Sequence, residues 1–417
     1  MGSGPDRPGR TAATGPASAT GPGTDSGPGG GTGSEAATGP LDAVRPRYGI
    51  ASLAEVLPAA SAVLGLPGAD DPMGLAAELA GVRRIAVLLV DGLGWHQLPL
   101  AAPYAPTLRD LARGGRELTC GFPSTTPTSL VSLGTGAPPG RHGVLGFRVR
   151  VPGTDDVLTH VQWRDEPDPD RWQPLPTALE RAAAAGVAVT VVSRPEFAGS
   201  GLTRAANAGG RFVGAADLGS LTDGMLAALR DGAGPALVYG YHPDLDRHGH
   251  VTGVASTPWR LAVAELDVAL ARLVDGLPPD AALLITADHG QLNVPAGNRF
   301  DLDTETELRA GVALVAGEPR VRYLHVRPGA AADVLATWSA VLGEAALVAS
   351  RDELVAAGWF GPVPGEHLAR IGDVVVACRG THAVVASREH PVEARLVGYH
   401  GSFTAAEMAI PLLVARA

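Results

Sequence analysis

The sequence predicts an α/β fold, a mostly parallel sheet sandwiched by helices with a small α+β insertion, and three observations carry that prediction. Four runs, RIAVLLVD (84–91), VAVTVVS (187–193), ALVYGY (236–241) and AALLITAD (281–288), are continuously apolar and rich in Val, Ile and Leu. Unbroken runs of this kind suit strands buried on both faces, as parallel strands are. Between them, 175–185 and 258–274 carry apolar residues at helical spacing. In the second, Leu261, Ala264, Leu266, Leu270 and Leu273 share the predicted buried face, with Glu265 and Arg272 outside it. Strands alternating with helices give a parallel sheet covered on both sides.

Taken in chain order, three regions emerge. Residues 1–45 are a Gly, Pro, Ala, Ser and Thr mixture with almost no large apolar side chains, and are expected to be a disordered tail. The tail lacks the basic start and apolar stretch of a secretory signal, and no later run reaches the roughly 18 apolar residues of a membrane span. A cytoplasmic protein is the simplest expectation. Residues 46–300 with 398–417 form the predicted catalytic α/β domain. Residues 301–397 change texture: RVRYLHV (320–326), a helix near 330–342, a strand at 346–350 and DVVVACR (373–379) predict the α+β insertion. The chain then returns through Tyr399-His400-Gly401 and ends on AIPLLVA, suited to a further strand or a buried terminus.

Composition removes several function classes. With 45% hydrophobic and 18% charged residues the chain can bury a substantial core. A formal net charge of -10 repels nucleic acid backbones and anionic membranes, so neither is an expected partner. All 33 basic residues are Arg, and a P-loop, which needs Lys, is excluded. Cys120 and Cys378 are too few for a disulfide framework or a Cys-based zinc site, and are expected as free thiols.

The chemistry-bearing residues fall where such sheets bind ligands, beyond the carboxyl ends of strands. Asp91 follows RIAVLLV and precedes Gly92, so it is either a turn residue or a hard oxygen ligand for a metal. Asp288 and His289 follow AALLIT and offer one oxygen and one nitrogen, a mixture zinc accepts. His242, Asp244, Asp246, His248 and His250 crowd into ten residues, and the spacing of four between Asp246 and His250 brings both to one side of a helical turn. A solvated loop is the bland reading, yet unpaired Asp and His are costly to bury, which favours metal ligation. His400, beside Gly401, would complete a second ligand set. Ser124, Thr125, Thr126, Thr128 and Ser129 lie in FPSTTPTSLVSLGTG (122–136), a capped helix start whose free N–H groups can hold a phosphoryl oxygen.

The order Val-Asp91-Gly, Phe-Pro123-Ser-Thr-Thr126, Thr135-Gly-Ala-Pro-Pro-Gly-Arg-His142-Gly, Tyr241 to Gly249-His250, Thr-Ala-Asp288-His289-Gly and His400-Gly resembles the alkaline phosphatase superfamily, nearest its nucleotide pyrophosphatase/phosphodiesterase branch. The resemblance covers about residues 84–415 and implies an alkaline phosphatase-like fold and two divalent metal ions, zinc by donor set, although manganese or iron accept the same donors. By resemblance, Asp91, Asp288 and His289 would hold one ion, and Asp246, His250 and His400 the other. Thr126 matches the family nucleophile, in contact with metal, with Thr125 as the rival. The reaction implied is hydrolysis of phosphodiester or nucleotide pyrophosphate bonds through a phosphothreonine intermediate, on a small-molecule phosphate ester or nucleotide.

Two departures bear on substrate. The residue after the nucleophile, often an aromatic in the family, is Pro127, so Tyr241 alone matches an aromatic of the substrate pocket. Beyond His142-Gly143-Val144-Leu145, where the diesterase branch carries an Asn that helps hold a phosphoryl oxygen, stands Phe147. Arg148 or a backbone N–H would have to replace that donor. A phosphomonoesterase or phosphonate hydrolase with the same metal site is the alternative, drawing on Arg148 or Arg164 for charge. A non-catalytic module binding a phosphorylated ligand is the other. His142 is either catalytic or, the preferred reading, a structural turn histidine, and His96, His160 and His325 have no partners in sequence.

Overall fold

Strong strand formers placed side by side build a seven-stranded sheet. The computed structural model describes Met1 and residues 39–417. Its central strands are β1 (Arg84–Val90), β2 (Arg116–Thr119), β3 (Ala188–Ser193), β4 (Arg211–Gly214), β5 (Ala236–His242), β6 (Ala281–Thr286) and, at the C-terminus, β11 (Ala409–Arg416). Their order across the sheet is β2-β11-β6-β1-β5-β3-β4. β1 pairs in parallel with β5 and β6, and β3 with β4 and β5. β11 runs antiparallel to β6 and β2. β1 and β6 are buried along nearly their whole length, which is why their sequences are continuous rather than alternating.

Helices α1 (Thr126–Thr135), α2 (Leu218–Arg230), α3 (Asp244–Thr252) and α4 (Thr257–Asp275) are the ones that matter for the site and its cover. α4 buries Leu266, Leu270 and Leu273 of the predicted face but not Leu261. Its buried stripe is Trp259, Ala262, Val263, Leu266, Ala269, Leu270 and Leu273, whereas Leu261 is 61% exposed. The stripe begins at Trp259 and steps by three or four residues, a register that throws Leu261 to the solvent side.

The region between β6 and β11 carries a four-stranded antiparallel sheet of β7 (Val312–Glu318), β8 (Val321–Val326), β9 (Ala346–Ser350) and β10 (Val374–Cys378), in the order β7-β8-β10-β9. Period-two alternation gives it two loyalties. Val321, Tyr323, Val375 and Ala377 join the main core. Leu324, Val374 and Val376 instead form a second core with Trp338 of helix α5 (Ala331–Leu342).

The predicted tail lies mostly outside the described residues, which omit 2–38. Residues 39–45, grouped with it by composition, are bonded to the body of the chain. Val44 N–H donates to Phe403 O at 2.8 Å, and Ala405 N–H to Asp42 O at 2.8 Å. Among the described residues no helix is long and apolar enough to cross a membrane. Cys120 and Cys378 are both buried free thiols.

Candidate active site

Parallel strands bring their carboxyl ends to one edge, and six of the predicted residues meet there. Asp91 directly follows β1, and its N–H donates to His242 O at the end of β5 at 3.0 Å. Asp288 and His289 follow β6. Asp246 and His250 stand one turn apart on α3, as their spacing predicts. Gly92 lets the two loops touch: its φ is +76°, and a Cβ there would lie 2.9 Å from Asp246 Cα. His400 follows the short strand Gly398–Tyr399, which pairs with Leu292–Asn293 just past His289. The small pairing therefore sets His400 over the β6 loop.

The side chains converge on two overlapping clusters. In one, ligand atoms of Asp91, Asp288 and His289 all lie within 4.8 Å of one another; in the other, those of Asp246, His289 and His400 do. His250 joins the second, with Nε2 3.2 Å from Asp246 Oδ2 and 3.1 Å from His400 Nε2. The rings of His289 and His400 stack with centroids 3.5 Å apart. The first cluster is almost fully buried, Asp91 at 3% exposure and Asp288 and His289 at 0%.

Whether these residues fit metal ions is decided by their free atoms. Each aspartate of the first cluster has one oxygen held and one with no hydrogen-bond partner among the described residues. Tyr241 Oη–H donates to Asp91 Oδ2, while Asp91 Oδ1 is unpartnered. Asp288 Oδ1 accepts from the N–H groups of Gly92 and His289 at 3.1 and 3.0 Å, while Asp288 Oδ2 is unpartnered. All three histidines spend Nδ1 on a backbone carbonyl: His250 on Gly398 at 2.8 Å, His289 on Gly290 at 3.1 Å, His400 on Ser124 at 2.9 Å. A donor at Nδ1 leaves the Nε2 lone pair for a ligand, the arrangement metal sites use to fix an imidazole. Gln291 donates to Asp246 Oδ1 at 2.9 Å, orienting that carboxylate in the same way. The donor set fits divalent ions.

Electrostatics points the same way. Burial pushes the Asp91 carboxyl well above the usual carboxylate range, and the charges of Asp288 and Asp246 push with it. Burial likewise raises Asp288, against the opposing charge of His289. Burial works against the Asp246 charge too, but His250, followed by His400 and His289, outweighs it and holds Asp246 below the usual range. Burial and the neighbouring His289 keep His400 well below the ordinary imidazole value. Carboxylates crowded in a dry site need positive charge, and a divalent cation supplies it.

Thr126 is the first residue of α1 and reaches this centre. Its Oγ1 lies 3.1 Å from His289 Nε2. Thr125 is the N-cap, with its side-chain hydroxyl buried and unpartnered. Pro127 removes one N–H, so Thr126 and Thr128 present the free amides of the helix start. Two cavities open from here without sharing a residue. The smaller, about 320 Å³, is lined by Thr126, Tyr241, Phe197 and Arg164 among others. The larger, about 680 Å³, is lined by Thr125, His250, His400, Phe147, Arg148 and Glu318 among others.

Tyr241 faces Thr126's cavity and also braces Asp91, a double duty its position did not foretell. Phe197, missed in the sequence, packs against Tyr241 with ring centroids 5.9 Å apart. It stands four residues past the end of β3, the strand-end location that could have flagged it. Arg148 is not free to hold a phosphoryl oxygen: Nε donates to Gly317 O at 3.0 Å, an Nη to Glu393 at 2.7 Å, and the other meets His390. The Phe147 N–H is likewise engaged, donating to Glu318 Oε2 at 3.1 Å. His142, His160 and His325 are buried away from the clusters, His142 against Ser132 at 2.9 Å.

In fold the chain is similar to murine ectonucleotide pyrophosphatase/phosphodiesterase 5, at a TM-score of 0.65 and 16% identity, covering 80% of this chain and 88% of that one. A structure of an inactive form of that murine protein holds AMP. It is also similar to phosphonoacetate hydrolase from Sinorhizobium meliloti 1021, in complex with phosphonoformate, at a TM-score of 0.63 and 20% identity, covering 81% and 91%. No curated protein matches the sequence. Residues 85–403 match the type I phosphodiesterase / nucleotide pyrophosphatase family. That span holds Thr126 and all six clustered aspartates and histidines, and the chain is a hydrolase belonging to this family.

Proposed function

We propose that the chain hydrolyses phosphodiesters, with Thr126 as nucleophile and a pair of divalent ions, zinc by donor set, held by Asp91, Asp288 and His289 and by Asp246, His250 and His400. The observation that carries the reading is the pair of cavities. Thr126 lines one and its neighbour Thr125 the other, so a phosphorus atom at the clusters has a separate recess for each of two organic substituents. A monoester needs only one.

Ions at these residues would supply Lewis acidity, lowering the pKa of a nearby hydroxyl and neutralising phosphoryl charge. The chain's own contributions are positional. Helix α1 fixes the Thr126 hydroxyl at the clusters, and the free amides of its first turn face developing negative charge. Thr126 Oγ1 forms the bond to phosphorus as the phosphorus–oxygen bond to the first alcohol breaks, that alcohol leaving with the Thr126 proton; water then cleaves the Thr126–phosphorus ester, releasing the phosphate monoester and restoring the hydroxyl. Phe197 and Tyr241 offer a flat ring, such as a nucleobase, an aromatic wall beside the nucleophile. Arg164, exposed on the same cavity, supports a second reading in which an additional anionic oxygen is bound, as in a monoester or phosphonate.

Turnover of bis(p-nitrophenyl) phosphate against p-nitrophenyl phosphate by the zinc-reconstituted protein tests the choice. The expected result is a chelator-sensitive preference for the diester of about tenfold or more. A preference for the monoester promotes the second reading, and metal-replete protein that cleaves neither defeats both.

A further inference from the structure

The larger cavity contains a carboxyl group that the proposed reaction does not use. Glu318, the last residue of β7, is 5% exposed and lines the cavity beside His250 and His400. Its Oε2 accepts the Phe147 N–H at 3.1 Å, while Oε1 has no hydrogen-bond partner among the described residues. Gly401 makes room for it: its φ is +132°, and a Cβ there would come within 2.9 Å of Oε1. Leaving a buried carboxyl oxygen unpaired is costly, so the site has a reason to receive a partner from outside the chain.

The neighbours narrow what that partner is. Glu393 accepts from both Arg148 and Arg322, and Arg309 pairs with Glu389 at 3.1 Å. Each nitrogen of Arg148 already has a protein partner. Among the described residues, no arginine on this wall is left to receive a terminal phosphate or carboxylate, and an ammonium would sit beside the guanidinium groups of Arg148 and Arg322. The remaining lining is largely apolar, with Phe147, Val157, Val315, Pro391 and Val392.

Resting on the phosphodiester reading, we propose that this cavity is the subsite for an uncharged, hydroxyl-bearing alcohol substituent of the substrate, and that Glu318 recognises its hydroxyl. The class is a phosphodiester of a polyol or sugar, in preference to a nucleotide pyrophosphate. Burial pushes the Glu318 carboxyl up to about 8. A hydroxyl suits either state, accepting from the neutral acid or donating to the carboxylate, whereas an ammonium can only donate.

Binding tests this independently of turnover. Titration calorimetry on the full-length, zinc-replete protein compares glycerol 3-phosphate, propyl phosphate and 2-aminoethyl phosphate, which share the phosphate and differ in the group offered to Glu318. The expected order is glycerol 3-phosphate tighter than propyl phosphate by about tenfold or more, because a site built for a hydroxyl penalises its absence. Glu318→Met should reduce that ratio to within about twofold, and Glu318→Gln, which keeps both hydrogen-bonding functions, should retain it at about threefold or more. Circular dichroism confirms that each variant folds. Equal affinities in the parent, a ratio unchanged in Glu318→Met, tighter binding of 2-aminoethyl phosphate, or no binding of any of the three overturns the proposal. A parent that cleaves the aromatic diester yet binds the polyol and propyl esters equally loses this inference alone. One that discriminates between them but cleaves no diester loses the functional reading alone.

Discussion

His250 and His400 face each other through Nε2 atoms 3.1 Å apart, while each donates its Nδ1–H to a backbone carbonyl. Two imidazole lone pairs aimed at one point repel unless something positive lies between them. Burial lowers the His250 pKa, but Asp246 outweighs it and raises it above the ordinary imidazole value, which favours a proton there. A divalent ion does it better, and the unpartnered oxygens of Asp91 and Asp288 point to a second such need. We expect purified, reconstituted protein to hold about two equivalents of zinc by mass spectrometry. D288N and H400Q should each reduce that content by about half or more. Parent protein that binds none after reconstitution would remove the basis for a metal-dependent reaction.

Thr126 carries the bond-forming step in the proposed reaction, and its hydroxyl touches His289. T126A should lower kcat on the diester by about a thousandfold or more. Metal content should stay near that of the parent, because the aspartate and histidine ligands are untouched. T126S, which keeps the hydroxyl, should recover part of the rate. Full activity in T126A would transfer the role to Thr125, whose hydroxyl is buried at the helix cap without a partner.

Glu318 makes stability depend on pH in a definite direction. Its carboxyl titrates near 8 in the folded chain because it is buried, against 4.5 as an ordinary glutamate. Between those values the folded state holds the proton more firmly than the unfolded state. Stability therefore falls as pH rises from about 4.5 through about 8. E318Q removes the titration, so it should gain on the parent by about 3–4 kcal/mol between pH 5 and pH 8. Urea melts at the two pH values measure this, and a parallel shift at both would show that Glu318 is not buried as a neutral acid.

Strand ends were the legible part of this chain. Continuous apolar runs located β1, β3, β5 and β6, and the residues just past three of them supplied Asp91, Asp288, His289 and the helix with Asp246 and His250. Edge strands were not legible: Arg116–Thr119 reads RELT and Arg211–Gly214 reads RFVG, too short and polar for a periodic signal. Arg148 shows the limit for side chains. Its charge was visible, but its engagement by Glu393 and Gly317 depends on contacts spanning 245 and 169 residues. The same holds for Glu318, which reaches the site only because β7 packs beside the loops that carry the clusters.

One long-range contact ties that second sheet to the site. Arg320, between β7 and β8, forms a two-pronged ion pair with Glu407, Nε to Oε1 at 2.9 Å and Nη2 to Oε2 at 2.6 Å, both side chains fully buried. Glu407 also accepts the Ser402 N–H at 3.0 Å and the Thr404 hydroxyl, so the pair clamps the turn that follows His400. Removing one partner strands the other charge in a dry interior. R320M is expected to cost about 3–5 kcal/mol, and the double variant R320M/E407L distinctly less, because no charge is then left unpaired. Denaturant melts of the two variants and the parent decide it. If the turn is what holds His400, E407Q should weaken zinc binding as well as stability, whereas loss of stability with unaltered zinc affinity would confine the pair to a packing role.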